Sequence, residues 1–143
     1  MPTCPLCSVE GQDVLWRDDF CRVILVDDAD YPGFCRVILN AHVKEVTDLT
    51  EAERGRLMRV VWAVEAAVRD ELAPDKINLA SLGNVVPHLH WHVIPRFTDD
   101  RHFPDPVWAA PRRPAQTRPS EMTLAERLGG RVAIRLGQAN DGP

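Results

Sequence analysis

No stretch of this sequence approaches the roughly 20 apolar residues that a helix needs to cross a bilayer. A secretory leader pattern is missing too, since Met1-Pro-Thr-Cys-Pro-Leu-Cys7 has neither a basic n-region nor an apolar h-region. The expectation is a cytoplasmic protein that does not meet a membrane. There is no excess of positive charge: the net charge is −4 and the pI is near 5.7. That argues against a nucleic-acid partner held by overall basicity, while leaving room for a local basic patch. Cysteine is scarce, with 4 in the chain, and in a cytoplasmic protein these read as free thiols or metal ligands rather than disulfides. No internal repeat is visible. What remains is ordinary globular composition, 45% hydrophobic and 27% charged over 143 residues. One domain of that length can bury about two-thirds of its unfolded surface.

Histidine is also sparse, but not evenly spread. Of 5 in the chain, three alternate in one pentapeptide, His88-Leu-His90-Trp-His92, which runs on as Val93-Ile94-Pro95-Arg96. The β-branched and aromatic content of this run is that of a strand. Alternation then puts the three imidazoles on one face, about 6–7 Å apart, and Leu89, Trp91 and Val93 on the other. Three satisfied structural histidines are the bland reading. Two chemical readings compete with it. A His-x-His pair can bind a metal with a third ligand from elsewhere, although the end pair is about 13 Å apart by strand rise and no carboxylate adjoins the strand. Alternatively, one imidazole is a nucleophile, because imidazole is partly unprotonated near neutral pH. A phosphorus centre suits such an attack, with neighbouring donors for its oxygens.

The rest of the chain supplies a frame. Val14–Arg17 and Cys21–Val26 read as a hairpin, followed by the acidic Asp27–Asp30, the turn Tyr31-Pro32-Gly33 and a strand Phe34–Leu39. Thr50-Glu-Ala-Glu53 is a capping box opening a long helix. Leu57, Val61, Val64, Val68 and Leu72 form its apolar stripe, with Met58 and Trp62 on its flank. Pro74 ends it. Lys76–Ala80 is a further strand. Six of the 12 prolines lie from residue 99 onward, so residues 111–143 read as an irregular Pro/Arg-rich tail beyond a domain of residues 1–110. Within that tail, Met122–Leu128 is a candidate short helix ended by Gly129-Gly130. The expected class is α+β: an antiparallel sheet of about five strands backed by one long helix. Cys4-Pro-Leu-Cys7 is either half of a zinc site or two buried thiols. Arg96, Arg112, Arg113 and Arg118 could steer phosphates or be solvated charges.

His88-Leu-His-Trp-His-Val-Ile94 resembles the motif of the histidine triad family, His-φ-His-φ-His-φ-φ with φ apolar. Gly33-Phe-Cys-Arg-Val-Ile-Leu-Asn-Ala-His42-Val43 resembles that family's Gly-His-x-Leu-Val-Ile-Pro-x-x-His-Val stretch. The likeness covers roughly residues 4 to 97. It implies a nucleotide hydrolase or transferase acting at the α-phosphate of dinucleoside polyphosphates or nucleoside phosphoramidates. His90 would be the nucleophile, His92 a ligand of the phosphate oxygens, and His88 a support for His90 through its backbone carbonyl. Asp27 would hold the ribose hydroxyls. Asn78, Asn84 and His42 would lie near the substrate. No cofactor would be needed for catalysis. A structural zinc on Cys4, Cys7, His42 and His88 is implied by some bacterial members, and a homodimer is the family's common state. The loop from Asn78 to Pro87 is several residues shorter than the family pattern. That leaves a second reading, a nucleotide-binding module whose hydrolase activity is weak or vestigial.

Overall fold

The computed structural model describes residues 4–116, 118–119 and 121–140. Its strands are β1 (Asp13–Arg17), β2 (Cys21–Leu25), β3 (Cys35–Leu39), β4 (Lys76–Ala80) and β5 (His90–Arg96). They form a single antiparallel sheet in the order β1-β2-β3-β5-β4. The histidine strand β5 is therefore inserted between β3 and β4 and is paired on both sides. Two α-helices, α1 (Glu51–Leu72) and α2 (Leu124–Asn140), and one 3-10 turn over Val46–Asp48 accompany the sheet among the described residues.

The sheet has two faces of different character. Val23, Val37 and Val93 point toward Leu57, Val61, Val64 and Val68 of α1, and together they form the main core. Helix α1 begins where the capping box places it: the Thr50 hydroxyl accepts from the Glu53 N–H and the Glu53 carboxylate accepts from the Thr50 N–H. It ends at Leu72, with Ala73 left-handed at φ 46° ahead of Pro74. Met58 packs at the margin of the core, whereas Trp62 is 55% exposed.

The C-terminal helix corrects one expectation. It does not stop at Gly129-Gly130 but runs 17 residues. Gly129 lies where the helix crosses β1, and a Cβ there would sit 2.7 Å from the Leu15 carbonyl oxygen. Close approach, not chain termination, explains that glycine. A glycine inside a helix costs about 1 kcal/mol relative to alanine. Burial of Leu124, Leu128 and Val132 in the main core contributes roughly 1.5–3 kcal/mol each, so packing outweighs propensity. Arg127 and Arg131 add ion pairs to Glu71 of α1. Residues on both sides of the expected division at 110 thus fill one core.

The opposite face of the sheet carries the polar residues. Arg36 pairs with His92 and Ile38 with His90 across β3 and β5, and Ala80 pairs with His92 and Asn78 with Ile94 across β4 and β5. Directly opposed residues share a face. The irregular segment after β5 lies against the end of this face and is tied down by a buried carboxylate. Asp100, 1% exposed, accepts from Arg96 Nε at 2.8 Å, from Tyr31 Oη at 3.1 Å, and from the backbone N–H groups of Phe97, His102 and Phe103. His102 Nδ1 lies 2.7 Å from the Tyr31 oxygen. Because the single tyrosine proton goes to Asp100, His102 donates in this pair. Among the described residues no helix is long and apolar enough to cross a membrane.

Candidate functional site

Two of the three histidines stand on β5 and the third does not. His90 and His92 face each other edge to face, ring centroids 5.0 Å apart. His88 precedes the strand, its N–H turned onto the Val86 carbonyl at 2.8 Å, and it is fully buried. Hydrogen bonding then fixes the proton positions. His90 Nδ1 lies 2.6 Å from the His88 carbonyl oxygen. A carbonyl only accepts, so Nδ1 carries the hydrogen and Nε2 keeps its lone pair. The reverse holds at His92: Arg36 Nε donates to His92 Nδ1 at 3.3 Å. An arginine only donates, so Nδ1 is the acceptor and Nε2–H of His92 is a donor. Burial, reinforced by the positive charge of Arg36, pulls the His92 imidazole down to about 4. His92 therefore stays neutral at physiological pH. The pair presents one nucleophilic nitrogen and one N–H donor side by side.

They line a cleft of about 550 Å³ with Leu6, Arg36, Gly83, Asn84, Val86 and Trp108. The loop Ser81–Leu89 forms one wall. Gly83 has φ +79°, a left-handed turn that glycine adopts without strain. Ser81 Oγ donates to the His90 carbonyl at 2.7 Å and closes the loop onto β5. Trp108, 55% exposed, stands 6.4 Å from the His92 ring.

Behind the cleft, His88 turns its ring the other way. Its Nε2 lies 2.6 Å from the Leu39 carbonyl oxygen, so Nε2 carries the hydrogen and the Nδ1 lone pair is free. That lone pair faces Cys4 Sγ at 3.4 Å and Cys7 Sγ at 3.6 Å, and Cys7 Sγ is 3.4 Å from His42 Nδ1. The four ligand atoms lie within 4.8 Å of one another. In a tetrahedral zinc site with Zn–S about 2.3 Å and Zn–N about 2.05 Å, a sulfur–nitrogen edge is about 3.6 Å. These residues fit zinc in type, number and spacing. Burial holds His88 below its ordinary range and thus neutral, as a metal ligand must be. Arg22, 2% exposed, clamps the knuckle by donating to the Leu6 and Ser8 carbonyls.

The other sequence-predicted residues are dispersed. Asn84 lines the cleft. Asn78 is on the same sheet face, but its side-chain oxygen accepts from Arg96 at 2.7 Å. Asp27 lines a separate cavity of about 640 Å³ with Asp28, Gly33 and Arg118, which shares no lining residue with the histidine cleft. The candidate phosphate-steering arginines are engaged elsewhere. Arg96 is buried against Asp100, Arg112 pairs with Asp105, Arg113 donates to the Asp100 and Phe103 carbonyls, and Arg118 pairs with Asp99. The arginine that reaches the triad is Arg36. A sign of it was available: an arginine stands where the resembled Gly-His-x-Leu stretch has leucine. Trp108 carried no such sign.

Comparison with known proteins places the chain among relatives. A sequence model described as the HIT domain matches residues 8–99. An AP-4-A phosphorylase of Mycobacterium tuberculosis is 30% identical over 78 residues, covering 50% of this chain and 40% of that protein. This chain thus spans well under two-thirds of that relative's length. The protein hit of Bacillus subtilis is 25% identical over 137 residues, covering 87% and 94% of the two chains. Among solved structures, a histidine triad protein from Bradyrhizobium japonicum superposes with a TM-score of 0.68 at 28% identity, covering 86% of this chain and 90% of its own.

Proposed function

This chain belongs to the HIT domain family, and from that premise we propose that it is a cytoplasmic nucleotide hydrolase working through a covalent intermediate on His90. The substrate is a dinucleoside polyphosphate or a nucleoside phosphoramidate. The observation that carries this reading is the 2.6 Å bond from His90 Nδ1 to the His88 carbonyl, which leaves the Nε2 lone pair turned to the cleft. That nitrogen attacks the α-phosphorus, a P–N bond forms, and the P–O or P–N bond to the leaving group breaks with its electron pair. Water then attacks phosphorus, losing a proton to solvent that balances the one taken up by the departed leaving group, and the new P–N bond breaks with its electron pair returning to Nε2. The nucleoside monophosphate departs and the imidazole regains its lone pair. The Nε2–H of His92 donates to a phosphate oxygen in both steps. Rapid quench of diadenosine tetraphosphate or adenosine phosphoramidate turnover, followed by intact-mass analysis, is expected to catch a nucleotidyl adduct at His90. Binding without turnover across both substrate classes would instead favour a nucleotide-binding module.

Zinc is expected to be held by Cys4, Cys7, His42 and His88 as a structural ion, supplying rigidity behind the triad and no chemistry in it. Protein purified without added metal should contain about one zinc per chain, and Cys7→Ser should lose it together with several degrees of Tm. Substoichiometric metal at every pH above 7 would refute this assignment.

A homodimer is the expected assembly. Strand β4 is a sheet edge with Leu79 36% exposed, and Trp62 of α1 leaves 55% of its surface uncovered. Light scattering at micromolar concentration should report the mass of two 16.1 kDa chains; a single-chain mass would overturn it.

A further inference from the structure

Among the described residues, Arg36 is the only formally charged side chain lining the histidine cleft. It is held from two sides. Its Nε donates to His92 Nδ1 at 3.3 Å, and its guanidinium carbon lies 5.6 Å from the centre of the Phe34 ring. Phe34 itself is buried and meets His92 edge to face at 5.8 Å. The bond to His92 is the one hydrogen bond of this guanidinium among the described residues, and no carboxylate there forms an ion pair with it. Its neighbours on the same sheet face differ. Arg22 spreads its donors over Leu6, Ser8, Gln12 and Asn40, and Arg96 commits all three of its nitrogens to Asp100, Asn78 and the Asp105 carbonyl. Arg36 therefore keeps its terminal N–H groups for something that enters the cleft.

A planar, permanently charged fork with two free prongs matches a phosphate better than any other common ligand. The neutral His92 contributes one donor and no charge, and Asn84 contributes no charge, so the cleft has no other cation to offer an anionic phosphate. We propose that Arg36 binds the phosphate group of the substrate directly and, through its Nε, holds His92 in the tautomer that donates to the same phosphate. The first half deepens the nucleotide-hydrolase reading of this site and rests on it for the identity of the substrate. The second half is a property of the protein alone.

Two measurements separate these halves. In ¹⁵N-resolved NMR of the histidine rings, with His92 assigned by its loss in His92→Asn, wild-type His92 should show a protonated Nε2 and a bare Nδ1. Arg36→Leu should turn this into a mixture of tautomers without any ligand present. Titration of inorganic phosphate should shift the His92 signal in wild-type protein. Arg36→Leu should bind phosphate, and adenosine monophosphate, roughly 10- to 100-fold more weakly, and Arg36→Lys should recover part of that because charge survives without the fork. Adenosine, which has no phosphate, should bind both proteins alike. Unchanged phosphate affinity in a folded Arg36→Leu protein, or an unchanged His92 tautomer, overturns the proposal. Phosphate binding that depends on Arg36 in a protein that turns over no nucleotide would uphold Arg36 and sink the hydrolase reading instead.

Discussion

His90→Asn is expected to leave a folded protein whose turnover falls at least a thousandfold. Loss of a covalent nucleophile has effects of this order, and a thousandfold corresponds to about 4 kcal/mol of transition-state stabilisation. Asparagine is the informative substitution because of the local hydrogen bonding. Its amide N–H can still donate to the His88 carbonyl that His90 Nδ1 now reaches at 2.6 Å. What disappears is the nitrogen lone pair on the cleft side. The residue is 8% exposed, so the smaller side chain costs stability of roughly 1–2 kcal/mol, within the range of ordinary buried substitutions. His92→Asn provides the contrast. Its Nδ1 already accepts from Arg36, so its Nε2 is protonated and cannot attack. Removing one such donor should cost about 10²–10³-fold, with adduct formation at His90 retained. Equal loss in both variants, or wild-type turnover by His90→Asn, would refute the division of labour between the two rings.

Asp100→Ala should be the most destabilising single substitution outside the main core, at roughly 3–5 kcal/mol, the usual consequence of removing one partner of a buried ion pair. The carboxylate is 1% exposed and its partner Arg96 is 2% exposed. Alanine would leave that guanidinium uncompensated and strip three backbone N–H groups and the Tyr31 hydroxyl of their acceptor. Against a total stability of about 5–15 kcal/mol this is a large fraction, seen as a fall in Tm of roughly 10–20 °C. Arg96→Met combined with Asp100→Leu should recover part of the loss, because the charge left unpaired is removed with its partner. The pH dependence follows from the hydrogen bonds and charge from Arg96 and the backbone N–H donors, which outweigh the opposing effect of burial and hold the Asp100 carboxyl well below its ordinary range. A depressed carboxyl contributes stability that is present above the unfolded-state value near 4 and is lost as pH falls below it. Chemical denaturation should therefore show the gap between wild type and Asp100→Ala narrowing below about pH 4. A gap under about 1 kcal/mol at pH 7 would show that the network does not hold this segment down.

Local patterns made much of the fold readable in advance. Thr50 and Glu53 sit three apart because a capping box requires it, and the helix begins there. The alternation around His90 and His92 put both rings on one strand face, and β5 bears that out. What was not readable depends on contacts between distant segments. Gly129 looks like a helix stop until Leu15 of β1 is seen against it. Arg36 stands out in an otherwise apolar strand, but only the pairing with β5 shows that it meets His92, 56 residues away in sequence. Asp100 lies in a proline-rich stretch with no periodicity, and its importance comes from the donors that surround it. His88 belongs to the histidine alternation but lies outside the strand, because the chain turns at Val86 before β5 begins.

The position of His88 has a consequence for genetics. Its ring faces the thiols while its main chain serves His90, and every encoded amino acid brings the same carbonyl. A saturation scan at residue 88 would therefore report on the thiol cluster, the bond to the Leu39 carbonyl and the filling of a buried site, and remain blind to the contact that orients the reacting ring. Tolerance of substitution there would not make the position dispensable. The carbonyl is tested only by changing the backbone, for example with an ester in place of the amide between residues 88 and 89, which weakens the acceptor and keeps both side chains. Because that ester also removes the Leu89 N–H that donates to the Val43 carbonyl at 2.7 Å, an ester in place of the amide between residues 43 and 44, which weakens only that acceptor, is the control.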